Sequence, residues 1–142
     1  MEKLIKKLTT NSIQPSHQRI KILEILEGNC DHPNVNMIFE VLCKEMPTIS
    51  KTTVYNTLNT FVEKGLISSL TIIPEELRYD SVTVPHHHFL CNKCGRIIDV
   101  EVKCGFAEKR EIYGHRIEEV QGYFRGVCKG CLEEEKDEMK QK

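Results

Sequence analysis

Two Cys-x-x-Cys pairs constrain this 142-residue chain more than any other feature. Cys91 and Cys94 form the first pair, and Cys128 and Cys131 form the second, 34 positions downstream of Cys94. Four thiolates are the number that a closed tetrahedral zinc site requires, and the two-residue spacer lets both members of a pair reach one ion. A single pair would also suit a redox dithiol. Two pairs in a chain of this length predict a structural Zn²⁺ site that stabilises a small domain.

Three consecutive histidines stand shortly before the first cysteine pair. On a β-strand, His86 and His88 point to one face while His87 points to the other. Two imidazoles on one face, with carboxylates nearby, suit a borderline divalent metal such as iron, manganese or zinc. The histidines alone are equally compatible with a solvated turn, so the rest of the chain has to decide between the two.

The composition indicates a cytoplasmic protein without a membrane span. No apolar run approaches the roughly 20 residues that a transmembrane helix needs, and the first residues lead directly into a polar helix pattern. The seven cysteines, an odd number, favour metal ligation in a reducing compartment over a disulfide framework. We therefore expect cytoplasmic localisation and no membrane partner.

Residues 1–80 carry the pattern of short helices followed by a hairpin. A short basic helix is predicted at 2–9, and three further helices begin at potential N-caps: Ser16, Asn34 and Ser50. Two strand-like segments come next: 67–73 and 77–80. Helices, then a recognition helix, then a hairpin is the order of a winged helix-turn-helix.

A polar stripe runs along the outer face of the helix that follows Ser50. Its members stand at positions i, i+3, i+4 and i+7: Thr52, Tyr55, Asn56 and Asn59. Such side chains donate, accept and make apolar contacts, as the reading of base edges and phosphates requires. The stripe alone also fits a solvated helix face, but its place before a hairpin favours double-stranded DNA as a partner. Arg19, one of five bases within residues 1–21, completes the predicted DNA-contacting set, although the net charge of −1 gives no overall basic footprint.

The sequence pattern changes after Asp80. We take residues 81–85 as a hinge between a DNA-binding domain at 1–80 and a second domain at 86–142. The predicted elements of the second domain are strands at 86–90 and 96–102, a helix near 105–113, strands around 115–120 and 122–127, and a charged helix at 132–142. The predicted fold class is therefore α+β: an N-terminal winged helix-turn-helix domain followed by a small α/β domain with a Cys₄ zinc site.

Taken together, these residues resemble the ferric uptake regulator (Fur) family. The matching pieces are Gln18-Arg19, His32-Pro33, Ser50-x-x-Thr53-Val54-Tyr55-x-x-Leu58, Gly65-Leu66-Ile67 and His86-x-His88-x-x-Cys91-x-x-Cys94-Gly95. The resemblance implies a homodimeric, metal-dependent transcriptional repressor, not an enzyme, whose second domain dimerises. It also implies a regulatory Fe²⁺ or Mn²⁺ ion with five ligands: His32, Asp80, His86, His88 and Asp99.

Two features resemble the peroxide-sensing branch of that family, the PerR-type repressors: Asp99 as the fifth ligand, and the sequence Val54-Tyr55-Asn56. That branch implies an iron-dependent oxidation of a ligand histidine, His32 or His86, by hydrogen peroxide, the one small molecule expected to react. Pro85 and Val120 stand where many iron sensors have ligands of a further site. A second sensory site is therefore not expected.

Three alternatives stay open. An iron-responsive, or zinc- or manganese-responsive, repressor of the same family would release DNA without histidine oxidation. A non-haem iron enzyme could use two of the histidines and one carboxylate, and it would need a substrate pocket. A zinc-ribbon interaction module without a sensory metal would capture a partner protein and show no metal-dependent DNA binding.

Overall fold

A computed structural model describes residues 1–29, 31–83, 86–103, 105–118, 120 and 122–141. The chain divides into two compact units, Met1–Thr83 and Val84–Lys142. The division falls within the segment 81–85 that we assign to a hinge. Val84 and Pro85 lie outside the described residues, and so does the predicted departure from the iron sensors at Pro85. None of the helices in the described part of the chain has the length and apolar character that a membrane span requires.

The first unit has four helices followed by a β-hairpin. Its elements are α1 (Glu2–Thr10), α2 (His17–Gly28), α3 (Val35–Glu45), α4 (Lys51–Glu63), β1 (Ser68–Ile73) and β2 (Glu76–Asp80). The two strands pair antiparallel. This order confirms the winged helix-turn-helix that the sequence predicts.

Side-chain caps determine where three of these helices begin. Each predicted cap accepts a hydrogen bond from the backbone N–H three residues further on: Ser16 from Arg19 at 3.2 Å, Asn34 from Met37 at 2.8 Å and Ser50 from Thr53 at 3.1 Å. Each bond satisfies one of the N–H groups that the first turn of a helix leaves without an intrahelical partner. The three predicted caps are confirmed.

The core of the first unit lies between the inner faces of the helices and the hairpin. Its most deeply buried members are Leu8, Ile22, Leu23, Leu26, Ile38, Leu42, Val54, Leu58, Phe61 and Tyr79. Tyr79 brings β2 into this core. Because side chains alternate along a strand, its neighbours Arg78 and Asp80 project from the other face of β2.

A three-stranded sheet forms the centre of the second unit. The elements of this unit are β3 (His87–Cys91), β4 (Ile97–Val100), α5 (Gly105–Lys109), β5 (Glu111–Ile112), β6 (His115–Arg116), β7 (Tyr123–Gly126) and α6 (Lys129–Lys140). The strand order of the sheet is β4-β3-β7. The central strand β3 pairs antiparallel with β4 and parallel with β7. The predicted α+β class is confirmed.

Several predicted elements of the second unit are wrong in extent. The helix predicted near 105–113 ends at Lys109, and the strand predicted at 115–120 ends at Arg116. Between them, Tyr113 and Gly114 have φ angles of +49° and +82°, which close the tight hairpin of β5 and β6. The helix ends at Lys109 because the next residue, Arg110, has a φ of +54°, and a helix cannot continue through a left-handed residue. The last helix begins at Lys129, ahead of the predicted start at 132, because Cys128 occupies its N-cap position.

Candidate metal centres and nucleic-acid interface

The four predicted zinc ligands converge in the second unit. Cys91 ends β3, Cys94 lies in the turn that follows, and Cys128 and Cys131 lie at the start of α6. Their sulfur atoms all lie within 4.8 Å of one another. The Sγ–Sγ distances are 3.8 Å both for Cys91 to Cys131 and for Cys94 to Cys128. Zn–S bonds of about 2.3 Å in a tetrahedron place the sulfurs about 3.8 Å apart, so the donor set and its spacing fit structural zinc.

Backbone amides favour a thiolate at one corner of this cluster. The N–H groups of Cys94 and Cys128 donate to Cys91 Sγ at 3.5 and 3.3 Å, and they lower the pKa of the Cys91 thiol to about 6. The pKa of Cys131 is raised to about 12, chiefly because its thiol hydrogen-bonds to Cys128 and lies among the other sulfurs. A divalent cation would displace that last proton, because it offsets the charge of the neighbouring thiolates.

His32 and Asp80, two predicted ligands of the regulatory metal, lie side by side in the first unit. His32 Nε2 and Asp80 Oδ2 are 3.4 Å apart, and the two side chains are only 4% and 6% exposed. Buried ionisable side chains are normally paired or bound to a metal. His32 precedes α3 in a loop, and its φ of +53° lies in the left-handed region that non-glycine residues seldom adopt.

The other three predicted ligands come together in the second unit. Asp99 on β4 is the direct cross-strand neighbour of His88 on β3. Asp99 Oδ1 lies 3.1 Å from His86 Nε2 and 3.3 Å from His88 Nε2, and the two imidazole rings are 4.5 Å apart. His87 packs elsewhere, against Gly122, where a Cβ atom would stand 2.4 Å from the imidazole. The predicted alternation of the three histidines is confirmed.

The histidine–aspartate groups of the two units fit Fe²⁺ or Mn²⁺. The first unit offers one imidazole and one carboxylate, and the second offers two imidazoles and one carboxylate. Mixed nitrogen and oxygen donors suit these borderline ions, whereas an all-thiolate set selects zinc. The chain therefore carries two chemically distinct kinds of metal-binding group.

The predicted DNA-contacting stripe is largely exposed on α4. Thr52, Tyr55 and Asn56 are exposed and Asn59 is half-buried, while the opposite face of the helix packs into the core. Arg19 is half-buried, and its Nη1 donates to the carbonyl oxygen of Gln14 at 2.7 Å. Three of the four members of the stripe therefore present their side chains to solvent.

Two of the five bases in residues 1–21 are committed to ion pairs within the first unit. Lys7 pairs with Glu27, and Lys21 pairs with Glu24 and Glu45 at 3.1 Å each. The acidic partners raise the pKa of Lys21 through hydrogen bonds. The basic character of this segment is therefore smaller than its sequence suggests.

Arg78 lies outside every motif of the sequence, yet it contacts the predicted metal site. Its guanidinium Nη1 donates to the backbone carbonyl of the predicted metal ligand His32 at 2.9 Å. The available signal was its place beside Tyr79 and two residues before Asp80. That position indicates a contact with the metal ligand only once the structure shows that β2 lies against the loop that carries His32.

The chain combines a winged helix that has an exposed polar stripe with a tetrathiol cluster and histidine–aspartate groups. This combination defines the class of metal-responsive DNA-binding regulators. A sequence model of the ferric uptake regulator family matches residues 10–122. The peroxide-responsive repressor PerR of Staphylococcus epidermidis is 32% identical to the chain, with 94% of this chain and 91% of the relative covered. The peroxide operon regulator of Bacillus subtilis is also 32% identical, with 95% of each covered.

Solved structures give the same result. The Campylobacter jejuni peroxide stress regulator superposes with a TM-score of 0.66 at 28% identity, over 92% of this chain and 97% of that one. The chain belongs to the ferric uptake regulator family, whose members are metal-responsive repressors. The resemblance stated above is confirmed. The curated relatives are named as repressors and regulators, so the expectation that the chain is not an enzyme is also confirmed.

Proposed function

We propose that the chain is a homodimeric, metal-dependent repressor that binds operator DNA through α4 and loses that binding when hydrogen peroxide oxidises His32 or His86. The observation that carries the proposal is that each unit holds a preassembled imidazole–carboxylate group of the kind that Fe²⁺ and Mn²⁺ prefer. The names of the relatives, which describe peroxide-responsive regulators, favour peroxide as the signal.

In this proposal one regulatory ion is held by both groups. Its five ligands are His32, Asp80, His86, His88 and Asp99. An ion with ligands from both units would restrict their relative orientation. A ligand that binds one arrangement of a protein better than another shifts the population toward it, and binding of the ion and of DNA would therefore be reciprocally coupled.

The exposed stripe on α4 supplies the chemistry for reading operator DNA. The side-chain amide of Asn56 matches the donor and acceptor pattern of adenine in the major groove, and the ring of Tyr55 can contact a thymine methyl group. Thr52 and Asn59 extend the stripe, and Arg19 adds a cation for phosphate. This surface lies on the outer side of a helix whose inner side is buried, so it can enter a groove without disturbing the core.

The second unit has features that favour a homodimer. Strand β7 lies at an edge of the three-stranded sheet, and Tyr123 and Phe124 on it are 48% and 47% exposed. A sheet edge with exposed aromatic side chains is a surface that proteins normally cover, and a second copy of the chain is one partner that can cover it. We assign the dimer to the cytoplasm.

The proposed signal is a chemical change in a ligand histidine. A ferrous ion held by these residues would supply the redox chemistry that activates hydrogen peroxide beside the imidazoles. In the net reaction, peroxide would transfer one oxygen atom to a ring carbon of the ligand histidine, which is thereby oxidised by two electrons, and the second peroxide oxygen would leave as water. An oxidised His32 or His86 is a poorer ligand, so the clamp between the units would be lost. The four cysteines would be protected from peroxide by zinc, because metal-bound thiolates are less available as nucleophiles than free ones.

Metal-dependent DNA binding tests this function. A duplex is first selected from a random-sequence pool with Mn²⁺-loaded protein. Mn²⁺ is chosen because it suits the same ligands but does not support the iron-dependent oxidation of histidine by peroxide. We expect added Mn²⁺ to tighten binding of that duplex to the zinc-containing protein by about 5–150-fold, the usual range of allosteric coupling. His86→Ala should remove this response, whereas His115→Ala, on the exposed strand β6, should retain it. Equal binding with and without added metal would contradict the proposal and favour a zinc-ribbon interaction module.

A further inference from the structure

We infer that Arg78 is a positioning residue that holds the His32 loop on the wing and thereby sets the metal affinity of the proposed regulatory site. The wing is the hairpin of β1 and β2, and the His32 loop comprises residues 29 and 31–34, the described residues between α2 and α3. The inference rests on the proposed function, because it assigns Arg78 a role toward the ligand His32.

The alternation of β2 directs two side chains onto this loop. Tyr79 is 1% exposed and anchors the strand in the core of the first unit. Arg78 and Asp80 therefore project from the other face of the strand. Asp80 faces the His32 imidazole, with 3.4 Å between Oδ2 and Nε2. Arg78 contacts the main chain of the same loop.

The guanidinium of Arg78 has three partners. Its Nη1 donates hydrogen bonds to the carbonyl oxygen of His32 at 2.9 Å and to that of Asp31 at 3.3 Å, and its Nε forms an ion pair, without a hydrogen bond, with a carboxylate oxygen of Glu76 at 3.5 Å. The side chain is only 15% exposed. A planar guanidinium holds its N–H donors in fixed directions, whereas the ammonium group of a lysine rotates on a flexible stem, so a lysine would fix the loop less rigidly.

These contacts hold a backbone conformation that is unfavourable on its own. The φ of +53° at His32 persists in a protein only when surrounding interactions over-determine it. Here the carbonyl of His32 accepts from Arg78, the carbonyl of Pro33 accepts from the Tyr79 N–H at 3.1 Å, and Asn29 Oδ1 accepts from the Asp31 N–H at 2.8 Å. Without Arg78 the loop could relax, and the imidazole would leave its place beside Asp80.

Glu76 extends the same network to the wing turn and to α3. Its carboxylate accepts from the Asn34 side-chain amide, and Asn34 Oδ1 caps α3 by accepting from the Met37 N–H at 2.8 Å. A groove of about 490 Å³ separates this part of the wing from the first turns of α4, and both Glu76 and Tyr55 line it. Arg78 therefore joins a proposed metal ligand to the edge of the surface proposed to read DNA.

Mn²⁺ binding to the zinc-containing protein, without DNA, tests the inference. Free Mn²⁺ is measured by electron paramagnetic resonance for the wild-type chain and for Arg78→Gln and Arg78→Lys. We expect the dissociation constant to rise about 10–100-fold in Arg78→Gln, the range found when a residue that orients a metal ligand is removed, and by less in Arg78→Lys. Arg116→Gln is the matched control, because Arg116 is 83% exposed on β6. Its Mn²⁺ affinity should equal that of the wild type.

Amide hydrogen exchange in the protein without regulatory metal gives a second readout. The Tyr79 N–H donates to the His32 loop, so its exchange should be faster in Arg78→Gln, while the zinc content stays at one ion per chain. Should Arg78→Gln fail to fold, Arg78→Lys decides the question by the same two measurements. Mn²⁺ affinity and Tyr79 exchange equal to the wild type would overturn the role of Arg78 alone. A wild-type chain that takes up no Mn²⁺ would overturn the proposed function, and the inference with it.

Discussion

At the scale of single residues, the cysteine cluster shows how position alone changes the chemistry of a side chain. Cys91 ends a strand and receives two backbone N–H groups, and its pKa is lowered to about 6. Cys131, inside the first turn of α6, has its pKa raised to about 12 by the neighbouring sulfurs. Four thiolates so close together are stable as a group only when their negative charge is offset, which is what zinc does.

Replacement of one zinc ligand should therefore abolish the fold of the second unit. Binding at structural zinc sites contributes about 10–16 kcal/mol, which is comparable to the whole stability of a domain, about 5–15 kcal/mol. We expect Cys128→Ser to lose its zinc and to elute as unfolded or monomeric protein. Cys43→Ser should keep zinc and dimer, because Cys43 packs against the core of the first unit. Zinc stoichiometry and size-exclusion chromatography measure both, and a dimeric, zinc-replete Cys128→Ser would contradict the assignment.

At the scale of elements, α4 packs into the core with one face and presents the proposed DNA-reading side chains on the other. Val54, Leu58 and Phe61 are fully buried, whereas Tyr55 and Asn56 are exposed on the same turns. Substitutions on the exposed face can therefore change DNA recognition while the helix stays packed. That separation makes the stripe open to a direct test.

Asn56→Ala should reduce discrimination between the selected duplex and a scrambled one by about 1–3 kcal/mol, because a bidentate contact to a base is lost. Lys6→Ala is the contrasting variant, since Lys6 is an exposed cation on α1. It should weaken binding of both duplexes together and reduce the salt dependence. Fluorescence anisotropy at several salt concentrations distinguishes the two. Direct readout by Asn56 is wrong if its removal affects both duplexes equally.

The elements also explain how much of the fold was predictable. The start of a helix depends on a cap residue and on the backbone three positions further on. Because this relation is local, the sequence predicts Ser16, Asn34 and Ser50 as caps. The zinc cluster was readable because its ligands come in two short, fixed spacings. The hairpin of β5 and β6 was missed because it depends on left-handed backbone at Tyr113, a residue type that gives no such signal. The role of Arg78 depends on contacts 46 and 47 positions away in the chain, which no local pattern contains.

At the scale of the whole molecule, the proposal is that chemistry at one ion controls DNA binding. The net charge of −1 gives little general attraction to DNA, so binding would depend on specific contacts and on the arrangement of the units. In the proposal, a mixed nitrogen and oxygen donor set lets its metal ion react with peroxide, whereas four thiolates form a closed coordination shell around zinc. The proposed peroxide sensing and the structural zinc therefore depend on different ligands: histidines and aspartates for the first, cysteines for the second.

The most direct measurement of the central claim is peptide mass spectrometry after mild peroxide treatment, with DNA binding followed in the same samples. Fe²⁺-loaded and Mn²⁺-loaded protein are compared, and the peptides that carry His32, His86 and His115 are quantified. The account predicts one added oxygen atom on the His32 or His86 peptide, with iron only, in proportion to the loss of DNA binding, and an unmodified His115 peptide. DNA binding that survives in the iron-loaded protein, with both ligand histidines intact, would contradict it and favour an iron-responsive repressor.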